Sequence, residues 1–163
     1  MSATSANVTT VNLRIREATP DDIPEILRQR RGMYEDMDYK DSESLAAMQS
    51  VSAGYLAKAL PDGSFRAWLA YDGDRVVGGG AIVSSPWPAH PYDLECRRAT
   101  ILNVYTYPEY RRQGIARKLM QTMIAWCQRE RFARVSLHAS PDGRHLYEQL
   151  GFEASNEMSL KLR

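Results

Sequence analysis

Leu13-Arg14-Ile15-Arg16-Glu17-Ala18 alternates apolar with polar residues, the pattern of a half-buried first strand. Thr19-Pro20-Asp21-Asp22 reads as a helix start, with Thr19 as cap, Pro20 at the first helical position and acids in the first turn. Ile23, Ile26, Leu27, Arg30 and Tyr34 continue a stripe at helical spacing, and a second helix is expected from Ser44 to Leu60, stopped by Pro61-Asp62-Gly63. Phe65–Tyr71 and Arg75–Val83 read as strands joined by Asp72-Gly73-Asp74, a hairpin signal. Gly78-Gly79-Gly80 inside the second of these marks a bulge or close packing. Ser84–Leu94 carries three prolines and is expected to be irregular. Ala99–Tyr107 is rich in β-branched and aromatic residues and reads as a fourth strand, broken by Pro108-Glu109-Tyr110. From Gly114 the apolar residues Ile115, Ala116, Leu119, Met120, Met123, Ile124 and Cys127 line one side of a helix. Arg134–His138 gives a fifth strand, a short helix runs from near Asp142 through Gln149 to Gly151, and Phe152–Leu162 is expected to supply one or two closing strands, with Met158, Leu160 and Leu162 alternating.

The order is β-α-α-β-β-β-α-β-α-β, a mixed α/β fold. It lies in one domain over residues 13–163, behind a polar leader, residues 1–12, that reads as disordered and lacks the basic and apolar regions of a signal peptide. The 163 residues suffice for one substantial core, and 44% hydrophobic with 25% charged residues is ordinary for a globular chain. A net charge of +1 argues against a nucleic-acid partner, so any anion site is local. No apolar run is long enough to span a membrane. Cys96 and Cys127 are the only cysteines; Cys127 on an apolar helix face reads as a reduced core thiol, no Cys/His spacing suggests a metal, and a reducing cytoplasm fits best.

The join between fourth strand and following helix is Arg111-Arg112-Gln113-Gly114-Ile115-Ala116. The first N–H groups of a helix lack intrahelical partners and sit at the positive end of its dipole, and a glycine there admits a ligand close to the backbone. Such a join holds a phosphate or pyrophosphate, or is an ordinary strand–turn–helix with solvated arginines; the spacing alone does not choose.

Those six residues match the (Gln/Arg)-x-x-Gly-x-(Gly/Ala) motif of the GNAT N-acetyltransferase superfamily, and Val104-Tyr105-Thr106-Tyr107-Pro108-Glu109-Tyr110 resembles that family's fourth strand and its exit. Leu146-Tyr147-Glu148-Gln149-Leu150-Gly151-Phe152 resembles its second hallmark, a helix ending in Tyr-x-x-x-Gly-Phe, about 30 residues further on. The resemblance covers the chain from about Leu13 to its end. It implies a GNAT fold, a central and mostly antiparallel sheet with the fourth and fifth strands splayed, and transfer of an acetyl group from acetyl-CoA, as acyl-donor co-substrate, to a primary amine by direct attack in a ternary complex without a metal.

Cofactor roles follow from the resemblance residue by residue. The backbone of Arg111, Arg112, Gln113, Gly114, Ile115, Ala116 and Arg117 would take the pyrophosphate. Val104, Tyr105 and Thr106 would pair with the amide-rich pantetheine arm as an added strand does, and an N–H near Val104 or Tyr105 would polarise the thioester carbonyl. Ser140 stands where the family often has Asn against the pantetheine, and Gly143 where it often has Ala; Arg144 is a further phosphate candidate. Tyr147 matches the general acid that protonates the departing CoA thiolate; otherwise it is a core aromatic beside Leu146 and Leu150.

The acceptor is less defined. An amine of pKa about 10.4 is neutral in roughly one molecule in a few thousand near pH 7, so a base or water chain is required. The fourth strand lacks the carboxylate common in the family; Glu35, Asp36 and Glu95 are the candidates, beside a water-relayed path. The acidic Glu35–Asp41 segment is either a solvated loop or a lip attracting a cationic amine, and Asn103 and Tyr105 share a strand face by alternation. A non-catalytic acyl-CoA-binding module or sensor and a basic patch for nucleic acid are the competing classes, and the chain is expected to be a monomer or homodimer.

Overall fold

The computed structural model describes residues 12–163. The expected leader lies outside them, apart from Asn12. Five strands form one sheet in the order β1-β2-β3-β4-β5: Leu13–Glu17, Phe65–Asp72, Arg75–Pro86, Arg97–Thr106 and Val135–Leu137. Every neighbouring pair is antiparallel except β4 and β5, which run parallel. Helices α1 (Ile23–Asp36) and α2 (Ser42–Asp62) cover one face, and α3 (Ile115–Arg129) covers the other; α4 (Pro141–Gln149) follows β5.

Local chemistry sets the helix ends. Thr19 N–H donates to the Asp22 carboxylate at 2.8 Å, so the predicted helix start becomes a tight 3-10 turn, Pro20–Asp22, that feeds α1. Asp41 caps α2 by accepting from the N–H groups of Glu43 and Ser44, two residues earlier than the expected start. Pro61 lies inside the last turn of α2 and does not stop it; Gly63, at φ 77°, turns the chain out, and its N–H donates to Leu60 O.

The two cores follow the sheet's faces. Leu119, Met120 and Met123 of α3 are fully buried against Ala70, Val77, Ile82, Ala99 and Ile101. Ile26 of α1 and Leu56 and Ala59 of α2 pack on Phe65, Ala67 and Ala81. A buried side chain of Leu, Ile, Met or Phe size in these cores is worth about 1.5–3 kcal/mol in transfer terms. Cys127 is buried in the α3 core, where burial pushes its thiol pKa up to about 11 and keeps it unreactive.

The triple glycine of β3 combines both readings offered for it. A Cβ on Gly78 would lie 2.6 Å from the Tyr105 carbonyl oxygen, one on Gly79 2.2 Å from Oε1 of Gln29, and one on Gly80 2.8 Å from the Met123 methyl. Gly78 abuts the β4 backbone, Gly79 the end of the Gln29 side chain of α1 and Gly80 the end of the Met123 side chain of α3, so the strand is closely packed on both faces. The register also slips between Gly79 and Ala81, and the extra residue of the bulge belongs to β4, where Asn103 takes φ 55°. Simple alternation along β4 therefore fails: Ala99 and Ile101 face α3, whereas Leu102, Asn103 and Tyr105 face α1.

Strand β3 runs on to Pro86, beyond the expected Val83, because Ser84, Ser85 and Pro86 pair with Ala99, Arg98 and Arg97. One expected element does not form. Residues 152–162 belong to no strand, and the sheet stops at β5. An alternating pattern marks a segment able to pair, but a strand exists only where a second backbone meets it, and none does among the described residues.

Candidate active site

Pairing between β4 and β5 covers only Ala99–Ile101 against Val135–Leu137. Beyond Ile101, β4 runs on to Thr106 without β5, which opens a cleft of about 930 Å³ between them. Both hallmark segments line it. Val104, Tyr105, Thr106, Arg111, Arg112, Gly114, Ile115, Ala116 and Arg117 form one wall, and Ser140, Leu146 and Tyr147 the other. Gln113 does not line the cleft; its amide contacts Glu109 O at 3.5 Å.

At one end the backbone leaves a run of amides open. Arg112 and Gly114 both take left-handed conformations, φ 62° and 78°, and a Cβ on Gly114 would meet nothing within 4 Å. The first helical bond of α3 is Lys118 N–H to Gly114 O, and no N–H of residues 112–117 donates to a group among the described residues. Six consecutive amides therefore remain available beside open space at a helix N-terminus. The arginine side chains are partly committed elsewhere: Arg111 donates to Thr106 O at 2.9 Å and pairs with Asp36, and Arg117 donates to Gln149. Arg144 pairs with Glu148 at 2.8 Å and stays outside the cleft, so the phosphate role expected for it has no geometric support.

The β4 wall carries an orphan. Thr106 Oγ1 is buried and has no hydrogen-bond partner among the described residues. A buried hydroxyl without a partner costs about 1–3 kcal/mol, and a polar ligand along this strand would relieve it.

Across the cleft, Ser140 caps α4, its Oγ accepting from Gly143 N–H at 3.2 Å. Tyr147 follows two turns later, its ring edge-on to Phe152 with centroids 6.1 Å apart. Desolvation alone pushes its phenol pKa up, and its hydroxyl forms no hydrogen bond among the described residues. The half-buried phenol thus lines the cleft with its O–H uncommitted. A Cβ on Gly143 would lie 2.8 Å from the Tyr147 ring, so the small residue at that position gives the ring its place.

The α1 side closes the other end. Tyr105 lies beneath Gly32, where an added Cβ would meet its hydroxyl at 2.7 Å. Asn103 accepts from Arg30 Nη1 at 2.6 Å, and Tyr107 donates to Glu25 at 2.8 Å. Of the acidic residues singled out in the sequence, Asp36 lines the cleft and Glu35 does not; Glu35 pairs along α1 with Arg31 at 2.7 Å. Glu95 sits in the loop before β4, beside Arg97 at 3.9 Å, and is absent from the cleft wall. The lip is thus the last turn of α1, with Met33, Asp36 and Met37, rather than the whole acidic segment. Arg30 and His138, which sequence reasoning passed over, stand at or near the site; His138 directly follows β5, the one signal that marked it. Among the described residues no cluster of three or more His, Cys, Asp or Glu is placed to hold a metal, and no helix is long and apolar enough to cross a membrane.

Comparison with known proteins agrees with this geometry. A model of the acetyltransferase (GNAT) family matches residues 25–152. A GCN5-related N-acetyltransferase of Ralstonia eutropha JMP134 superposes with TM-score 0.85 at 32% identity, over 93% of this chain and 99% of that one. A predicted acetyltransferase of Clostridium acetobutylicum, crystallised with acetyl-CoA, shares the fold with TM-score 0.83 at 22% identity, over 93% of this chain and 96% of that one. An uncharacterized N-acetyltransferase of Bacillus subtilis, YsnE, is 28% identical over 91 residues, 53% of this chain and 54% of that protein; the chain thus matches about half the length of this curated relative. With the family model spanning both hallmark segments, the chain belongs to the GNAT acetyltransferase family.

Proposed function

We propose that the protein transfers an acetyl group from acetyl-CoA to a primary amine, by direct attack of the amine within a ternary complex. The single observation that carries this reading is that one cleft brings together six uncommitted amides at a helix start, an orphaned Thr106 hydroxyl along an open strand and an unbonded Tyr147 hydroxyl. The residues fit the donor. The amides of residues 112–117 take its pyrophosphate, and the open stretch of β4 from Leu102 to Thr106, with Thr106 Oγ1, takes the amide-rich arm. When bound, acetyl-CoA supplies the activated acyl group; the chain supplies alignment and protons.

The balance is simple. A C–N bond forms, the C–S bond breaks, and the electron pair of that bond stays on sulfur. Tyr147 donates its proton to the thiolate and is restored from solvent. The amine's excess proton leaves through water toward the α1 side, where Asp36 lines the cleft in an ion pair with Arg111. Neither a nucleic acid nor a metal has a part in this scheme. Two free cysteines, Cys127 buried among them, accord with a reducing cytoplasm.

The test is a panel of amines assayed for CoA thiol release with acetyl-CoA as donor. Turnover with at least one amine, lost in Tyr147→Phe, supports the proposal. Saturable acetyl-CoA binding with no turnover over a broad panel would instead identify a sensor of the same fold.

A further inference from the structure

The loop between β3 and β4, residues 87–96, takes no part in the cleft. It rims a second hollow of about 260 Å³ beside the starts of β4 and β5. Ala99 and Ser136 line this hollow, whereas Ile101 and Leu137 line the cleft, so the short β4–β5 ladder stands between the two.

Hydrogen bonds fix the shape of the loop. Trp87 N–H donates to Cys96 O at 2.9 Å, and the backbones of His90 and Asp93 exchange two bonds of 2.8 Å. Tyr92 N–H donates to Nδ1 of His90 at 3.3 Å, and the His90 and Tyr92 rings lie 5.6 Å apart. A rim built in advance spares a ligand the cost of ordering it.

The hollow is aromatic and cationic together. Trp87 and Tyr92 line it and are 50% and 92% exposed. Arg97, Arg98 and Arg134 line it against one carboxylate, that of Asp93, which already accepts from Glu95 N–H at 3.2 Å. Arg97 is spent on Glu130 O and on the Phe132 ring, whose centroid lies 4.2 Å from its guanidinium carbon. Arg98 and Arg134 pair with no carboxylate among the described residues. The Arg98 guanidinium carbon sits 3.6 Å from the Trp87 ring centroid. Stacking occupies the face of a guanidinium and leaves its N–H edge for an oxyanion. In a chain of net charge +1 the excess of positive charge here is local.

We propose that this hollow binds a small aromatic molecule bearing an oxyanion, a carboxylate or a phosphate, with its ring against Trp87 and Tyr92 and its charge on Arg98 and Arg134. A volume of about 260 Å³ falls below the range of roughly 300–1,000 Å³ usual for larger ligands and suits one ring with a short acidic arm. This inference stands apart from the acyl-transfer reading: it uses no residue of the cleft, and its test reads binding rather than turnover.

The experiment is calorimetric titration of the full chain with phenylacetate and with phenyl phosphate. Phenethylamine, which has the ring with the opposite charge, and acetate, which has the charge without the ring, are the controls. One or both aromatic oxyanions should bind one site per chain with Kd at or below roughly 1 mM, the tighter one identifying the headgroup, and both controls should bind at least about 10-fold more weakly. Arg98→Ala and the exposed Arg134→Glu should each weaken binding about 10-fold or more. Trp68 and Trp126 are buried, so the ligand should change the fluorescence of Trp87 and Trp87→Phe should lose that change. Gly114→Asp, which obstructs the proposed donor site, should bind as wild type does. Absence of binding by both aromatic oxyanions overturns the proposal, as does equal binding of phenethylamine or full affinity in both arginine variants. So does loss of binding in Gly114→Asp, which would place the ligand in the cleft.

Discussion

Arg30 of α1 donates through Nη1 to Oδ1 of Asn103 at 2.6 Å, and Asn103 is the residue at which β4 leaves its pleat, with φ 55°. Asn tolerates the left-handed region because its short polar side chain bonds locally; a branched aliphatic residue does not. Asn103→Leu should lower stability by about 2–4 kcal/mol, the sum of left-handed strain and an unpaired Arg30. Asn103→Gly, which keeps the conformation and loses only the acceptor, should cost about 1–3 kcal/mol. Urea unfolding of the two variants checks this; a glycine variant as unstable as the leucine variant would show that strain at the bulge contributes nothing.

Gly114 faces open space at φ 78°. Gly114→Asp puts bulk and negative charge beside the free amides and should abolish the thermal stabilisation that acetyl-CoA gives wild type. Arg117→Ala should weaken that shift much less, since its guanidinium is already held by Gln149. Thermal shift with titrated acetyl-CoA distinguishes the two, and full stabilisation of Gly114→Asp would move the donor site elsewhere.

Tyr147→Phe should keep the fold and acetyl-CoA binding while kcat falls roughly 10- to 1000-fold, the range of lost acid catalysis where water substitutes in part. Burial raises the wild-type phenol above its ordinary value, so the donor stays protonated at neutral pH and its loss belongs to the alkaline limb of the pH–rate profile. The variant should lack that limb. Unchanged kcat across pH 6–10 in a folded variant removes Tyr147 from the chemistry.

Glu35 and Asp36 should separate. Asp36→Asn, on the cleft wall, should raise the acceptor KM roughly 3- to 10-fold, equivalent to about 0.7–1.4 kcal/mol of binding. Glu35→Gln, paired along the helix with Arg31, should leave both KM values unchanged. Steady-state kinetics with each substrate varied in turn reads the difference.

Asp22 links pH to stability. Two hydrogen bonds of 2.8 Å from the Arg16 guanidinium hold its carboxyl below the usual carboxylate range. A carboxyl with depressed folded pKa stabilises the protein above its unfolded value of about 3.9, and that contribution is lost as pH falls through the folded value. Asp22→Asn should therefore cost about 1.5–3 kcal/mol at pH 7 and flatten the stability curve below about pH 4. Denaturation at several pH values would show it, and an identical acid limb in both proteins would refute the linkage.

What was legible in the sequence was what neighbouring residues decide. Gly114 before an apolar stripe marks a helix start whatever the rest does, and Tyr147 four residues before Gly151 keeps its place on a short helix. What depends on another segment was not. The bulge at Asn103 arises from how β4 registers against Gly79 and Ala81. Adjacent Glu35 and Asp36 diverge because one helical step turns the second toward the cleft and leaves the first beside Arg31. Arg30 sat in a helical stripe, and only the crossing of α1 over β4 shows what it meets. The closing strand failed for the same reason: Met158, Leu160 and Leu162 carry the pattern, and the pattern cannot name its neighbour.

The three glycines of β3 bear on how the chain tolerates redesign. A Cβ on Gly79 would fall 2.2 Å from Oε1 of Gln29 and 3.0 Å from the Trp68 carbonyl oxygen, so substitution in the middle of β3 presses directly on the α1 layer. A library aimed at new amines gains nothing from β3 and loses folded protein there. Diversity is better placed at Met33, Asp36 and Met37, at the C-terminal end of α1, which line the cleft.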